Sequence, residues 1–128
     1  MKLLLDTHSF LWWIIDSEKL SPQVKAVLED TDNELYLSSA SVWEMAIKIS
    51  IGKLIFTEPL DVFIPAQLAA NQIQELPIVN HHAMYVTHLP WHHKDPFDRI
   101  IIAQSLTDKM IIVSKDSFFD AYGIRRIW

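Results

Sequence analysis

The stretch KLLLDTHSFLWWIIDS, residues 2–17, decides how the rest of the chain is read. Lys2–Leu5 is a short apolar run with no alternation, as expected of a strand buried on both faces. Asp6 closes it, and the following residues suit a helix. A strand buried on both faces, followed at once by a helix, predicts a parallel sheet covered by helices. The rest of the chain repeats the alternation. LSPQVKAVLED suits a helix, with Ser21 as N-cap and Pro22 at the first helical position. ELYLS (34–38) reads as a second strand. SVWEMAIKISIG reads as a helix with an apolar stripe of Val42, Trp43, Ala46, Ile47 and Ile51, ended by Gly52. LDVFIPAQLAANQIQ is helical, with Pro65 expected to kink or split it. ELPIV is a third strand and NHHAMYVTHL a short helix ending before Pro90. PFDRIIIAQSLTDK is a helix, MIIVS a strand, DSFFDAY a turn or short helix and IRRIW a last strand. The expected fold is a three-layer α/β/α domain over residues 1–128, with a mainly parallel central sheet.

Composition narrows the class. Half of the 128 residues are apolar and only two are glycine, which excludes a disordered or collagen-like chain. With no cysteine, neither disulfides nor thiolate metal ligands are available. The N-terminal apolar stretch is broken early by Asp6 and His8 and lacks a small-residue cleavage site, so no secretory leader is expected. No run approaches the roughly 18 apolar residues that span a membrane. The expectation is a soluble, cytoplasmic protein. A net charge of −5 argues against a broad basic nucleic-acid surface, but not against an acidic site that binds cations.

Parallel sheets place their functional crevice at the carboxyl ends of the strands. Four acids fall there or at the start of the next helix. Asp6 closes the first strand, Glu44 sits early in the helix after YLSSAS, Asp98 opens the helix leading into MIIVS, and Asp116 follows that strand. Each has an ordinary structural reading. Asp6 can cap the next helix. Ser41-Val42-Trp43-Glu44 matches a capping box. In Asp95-Pro96-Phe97-Asp98, Asp95 reads as N-cap, Pro96 as N1 and Asp98 as a first-turn acid favoured by the helix dipole. Asp116 suits a turn. Capping explains each acid singly but not four at one sheet edge. Clustered carboxylates raise one another's pKa, and a divalent cation with oxygen ligands, Mg²⁺ or Mn²⁺, relieves the repulsion. Thr7, Ser39 and Ser114 are candidates to supply hydroxyls to water on the metal.

LLLDTHSFLWW (3–13), SSASVWEMAIKISIGKL (38–54) and HHKDPFDRIIIAQS…IIVSKD (92–105 and 111–116) together resemble PIN-domain ribonucleases. More narrowly, they resemble the VapC toxins of bacterial type II toxin–antitoxin pairs. The resemblance covers nearly the whole chain, with the three blocks in the family's order. It carries the family's acidic quartet onto Asp6, Glu44, Asp98 and Asp116 and leaves Asp95, outside the quartet, as a cap. It further implies metal-dependent endonucleolytic cleavage of RNA, with tRNA and rRNA as the candidate substrates and Mg²⁺ or Mn²⁺ ions acting as Lewis acids to activate water. A homodimer and inhibition by a cognate antitoxin are also implied. One departure is Lys115, where the family often has a threonine–arginine pair before the last acid.

Other residues carry weaker readings. His81, His82, His88, His92 and His93 read as a solvated loop at the rim of the acidic pocket. A zinc site among them, or phosphate contacts from His92, His93 and Lys94, are the alternatives. Trp12 and Trp13 are either core or interface, covered by an antitoxin segment or a second copy. Arg99, Lys115, Arg125 and Arg126 can bind phosphate or pair with acids. The competing function is a catalytically inert PIN-like module that binds RNA or protein. A receiver-type phosphoacceptor would want paired acids after the first strand, and a haloacid-type phosphatase a second aspartate two residues after Asp6. Neither is present.

Overall fold

The computed structural model describes residues 1–128. Strands β1 (Lys2–Leu5), β2 (Glu34–Ser38), β3 (Ile73–Leu76), β4 (Ile111–Val113) and β5 (Arg126–Ile127) form one sheet. Their order is β3-β2-β1-β4-β5, and every pairing is parallel. Helices α1 (Thr7–Ile14), α2 (Pro22–Glu29), α3 (Ser39–Ser50), α4 (Leu60–Ala70), α5 (Asn80–Tyr85) and α6 (Pro96–Asp108) connect them. Short 3₁₀ turns cover Val86–His88 and Ser117–Tyr122.

β1 lies at the centre, and Leu3, Leu4 and Leu5 are all fully buried, which is why the run lacks alternation. Leu3 and Leu5 share one core with Phe10 of α1, Val24 and Leu28 of α2, and Ile64 and Leu68 of α4. Leu4 faces the other core, with Ile101 and Ile102 of α6 and Ile112 of β4. The sheet therefore has a helical layer on each face. Strand order runs outward from β1 to β2 and β3 on one side and to β4 and β5 on the other. The switch falls between β1 and β4, where a parallel sheet opens its crevice. No helix is long and apolar enough to cross a membrane.

Several boundaries differ from the sequence reading. β3 is Ile73–Leu76, not 75–79, because Pro77 lacks the N–H a ladder needs and the pairing ends before it. α4 runs through Pro65 as one helix and stops at Ala70, freeing Ile73 for β3. α3 starts at Ser39 with Ser38 as N-cap, its hydroxyl accepting from Ala40 N–H at 3.0 Å. That places Glu44 beyond the first turn, so the Ser41–Glu44 capping box does not form, and Ser41 Oγ is buried without a partner. The expected stripe on α3 is wrong too. Ala40, Ser41 and Met45 are its buried residues, while Trp43, Ala46 and Ile51 are exposed. Gly52 does end the helix: its positive φ lets Gly52 N–H bond Ile49 O and Lys53 N–H bond Lys48 O, a Schellman closure.

Arg99 is buried without a carboxylate partner, which corrects its reading as a phosphate or acid ligand. Its guanidinium donates to four carbonyls: Pro90 at 2.9 Å, His93 at 3.3 Å, Val86 at 3.3 Å and Leu89 at 3.4 Å. The Trp91 ring covers it, 3.9 Å from the guanidinium carbon. A segment with little regular structure is thus tied to the first turns of α6. Arg99→Met keeps the stem but orphans these carbonyls, and is expected to destabilise the fold by about 3 kcal/mol. Urea unfolding measures this, and an unchanged midpoint would show that water replaces the guanidinium without cost.

Candidate active site

Asp6 performs two tasks. Oδ1 caps α1 by accepting from Ser9 N–H at 2.8 Å, and Oδ2 accepts from the Ser114 hydroxyl at 2.6 Å. The same Ser114 hydroxyl accepts from Asp116 N–H at 3.0 Å. The ends of β1 and β4 are therefore joined by one serine at the switch point. Asp116 caps the following 3₁₀ turn, Oδ1 accepting from Phe118 N–H at 2.9 Å.

Glu44 enters from α3 one turn later than expected. Thr7 Oγ1 donates to its Oε1 at 2.7 Å, and Lys48, four residues on, pairs with Oε2 at 3.1 Å. Thr7 and Ser114 thus spend their hydroxyl protons on carboxylates and not on water, contrary to the sequence reading. Ser39 is exposed, with Ser38 taking the buried capping place.

At the start of α6 the two aspartates divide the work. Asp95 is the N-cap, Oδ1 accepting from Phe97 N–H at 2.8 Å and Asp98 N–H at 3.2 Å. Asp98 turns its carboxylate toward the other acids. Burial first, then the charge of Asp95, with Glu44 and Asp6 adding, lifts its pKa from 3.8 to about 7, against the opposing pull of His93. His93 Nε2 lies 3.0 Å from Asp98 Oδ2 and 3.6 Å from Asp116 Oδ2. A recess of about 300 Å³ walled by Asp6, His8, Trp12, Lys115 and Asp116 opens beside these groups.

The histidines do not form one solvated loop. His82 is buried and His81 exposed, and both contact Asp108 at the far end of α6, at 3.0 and 3.3 Å. Burial works against ionisation of Asp108, but the bonds from His82 and His81 more than offset it and hold the carboxyl below its usual range. This trio is a poor zinc site. His82 Nδ1 accepts from Val79 N–H at 3.1 Å, so Nε2 keeps its hydrogen for Asp108. His88 packs beside Tyr85 and His92 against Tyr122. Only His93 reaches the acidic group. Sequence spacing carries one hint of this, since a side chain two residues before Asp95 can accept that residue's backbone N–H. Arg126 pairs with Asp120 at 2.8 Å, as surface salt bridges do.

Trp12 and Trp13 are both half-buried at the margin of the α1 core. Trp12 meets Trp128 edge-on at 5.7 Å, and Lys19 lies over its ring.

Residues 3–124 match the PIN domain family, and the chain belongs to it. Ribonuclease VapC16 of Mycobacterium tuberculosis is 37% identical over 46 residues, covering 36% of this chain and 33% of that protein. The chain thus spans about a third of the length of that curated relative. The fold is shared with VapBC2 from Rickettsia felis bound to a promoter DNA fragment, at a TM-score of 0.74 and 15% identity over 99% of this chain and 98% of that one. It is shared also with DNA-bound VapBC from Salmonella typhimurium, at 0.73 and 16% over 99% and 97%. FitAcB from Neisseria gonorrhoeae follows at 0.66 and 19% over 98% and 96%.

The donor chemistry fits a hard divalent cation: Asp6, Glu44, Asp98 and Asp116 offer only oxygen, and burial together with the neighbouring acids disfavours the charged form of Asp98. A carboxyl whose pKa is higher folded than unfolded binds its proton more tightly in the folded state. Stability is then present below pH 4 and lost as pH rises to about 7. Without metal, Asp98→Asn should therefore be more stable than wild type at pH 8, by on the order of 2–4 kcal/mol, with the gap closing towards pH 4. Unfolding midpoints across that range in chelator measure it. A constant gap would mean that Asp98 is ionised throughout.

Proposed function

We propose that this chain is a divalent-metal-dependent endoribonuclease, the toxin of a type II toxin–antitoxin pair, hydrolysing phosphodiester bonds in RNA. The observation that carries the reading is the meeting of acids from separate segments at the β1–β4 switch, where Asp6 and Asp116 share Ser114 and the charges of Glu44 and Asp6 bear on Asp98. Membership of the PIN family and the local likeness to a protein named as a ribonuclease support it. Asp6, Glu44, Asp98 and Asp116 would hold Mg²⁺ or Mn²⁺. When bound, the ion supplies Lewis acidity towards water and the scissile phosphate.

The chain's own groups supply the rest. Ser114 and Thr7 aim Asp6 and Glu44 through their hydroxyls, and Lys48 offsets part of the charge on Glu44. Lys115 and His8 at the recess attract the RNA backbone, and Trp12 on the same wall offers a ring to a base. No side-chain nucleophile is required. Residues 1–128 act as one domain and, with exposed apolar side chains such as Ile51, Ile55 and Val62, assemble as a homodimer and with the antitoxin. The likeness to the VapBC structures from Rickettsia felis and Salmonella typhimurium supports an antitoxin partner. Transfer or ribosomal RNA is the substrate class we propose.

Purified chain free of antitoxin should cut pooled RNA with Mn²⁺ or Mg²⁺ and stop in chelator. Asp98→Asn should lose on the order of a hundredfold in rate or more. Gel analysis of end-mapped fragments reads the result. Wild type and mutant behaving alike, both folded, would sink the catalytic reading in favour of an inert PIN-like binding module.

A further inference from the structure

We propose that His93 is a positioning residue for the acidic pocket, drawing Asp98 and Asp116 together before a cation enters. The inference rests on the metal-dependent reading above. The two carboxylates arrive from different segments, the first turn of α6 and the turn after β4, and nothing in the backbone joins them directly. The His93 ring stands between them, Nε2 lying 3.0 Å from Oδ2 of Asp98 and 3.6 Å from Oδ2 of Asp116.

The ring's surroundings decide what it does there. Asp95 N–H donates to His93 Nδ1 at 3.2 Å, which leaves the hydrogen of the neutral ring on Nε2. His93 therefore turns an N–H, and not a lone pair, toward Asp98 Oδ2, with Asp116 Oδ2 just beyond hydrogen-bonding distance. Its backbone is fixed as firmly. The N–H donates to Tyr122 Oη at 2.7 Å, that hydroxyl donates to Pro90 O at 3.0 Å, and the His93 carbonyl accepts from Arg99 at 3.3 Å. Phe118 and Phe119 flank the ring, each with its centroid 6.2 Å away. A largely buried imidazole with both nitrogens assigned and its main chain tied at both ends is a built support. The ring faces Oδ2 of both carboxylates, nearer to Asp98, while Asp116 Oδ1 already accepts from Phe118 N–H, and the remaining lone pairs are open to a cation. Groups that orient metal-binding carboxylates in this way typically contribute ten- to hundredfold in metal affinity or activity.

The test is calorimetric titration with Mn²⁺ of wild type, His93→Leu and His93→Gln, beside metal-free unfolding midpoints and RNA cleavage rates. His93→Leu is expected to weaken Mn²⁺ binding about ten- to hundredfold. His93→Gln, whose amide returns an N–H to much the same place, should recover most of it, and spin-echo spectra of bound Mn²⁺ should show no histidine nitrogen. Wild-type affinity in His93→Leu would overturn the proposal. So would a manganese–nitrogen coupling lost in that variant, which would make His93 a ligand. His93→Gln as weak as His93→Leu, with both midpoints unchanged, would overturn it by making ring shape and not the N–H the requirement. A wild-type chain that neither binds Mn²⁺ nor cuts RNA removes the metal-dependent reading itself. Wild type that does both, with His93→Leu unimpaired, removes only the role of His93.

Discussion

Like charges at the carboxyl edge of the sheet are the constraint around which this chain is arranged. Each acid there accepts from, or contacts, a donor on another segment or in its own turn. Ser114 and Ser9 serve Asp6, Thr7 and Lys48 serve Glu44, Phe118 N–H serves Asp116, and His93 serves Asp98. Asp98 is the residue at which this compensation is incomplete: burial first, then the charges of Asp95, Glu44 and Asp6, raise its pKa to about 7 against the pull of His93. A fold selected for stability alone would place an amide or an alanine there. The repulsion that remains favours a divalent cation, in the sense that whatever neutralises the cluster also stabilises the fold.

Arg99 and Asp98, adjacent in sequence, show how one helix turn serves two unlike environments. Successive residues on a helix point about 100° apart, so one faces the acid cluster and the next faces the interior. The buried guanidinium gathers carbonyls from Val86 to His93 and thereby fixes the segment that carries His93 to the site. The positive charge of Arg99 is spent on backbone carbonyls, leaving Lys48 and Lys115 as the cationic groups near the acids.

Much of this was legible in the chain itself. β1 and β2 could be read residue for residue because a strand buried on both faces has no competing pattern, and Pro96 and Asp95 announced the start of α6 by their chemistry. What could not be read depended on contacts across the fold. Ser38 and Ser41 are both plausible caps, and only the end of β2 selects Ser38. Trp43 looked like core by spacing, yet α3 buries Ala40, Ser41 and Met45 and leaves Trp43 outward, edge-on to Phe97 of α6. The five histidines divide among four environments, and for His88, His92 and His93 the division follows from the path of residues 86–95 around Arg99. That path has no period to betray it.

The central position of β1 has a consequence for the order in which the molecule is made. Leu3 pairs with Ile111, and Asp6 meets Ser114, 108 positions further along the chain. Local contacts within α1 and α2 can form as the chain emerges, but β1 gains its second neighbour only when β4 has been synthesised. The acidic cluster therefore cannot assemble until β4 and the turn after it exist. A ribosome translating this message carries an incomplete pocket for as long as it takes to make the hundred or so residues that separate the two strands.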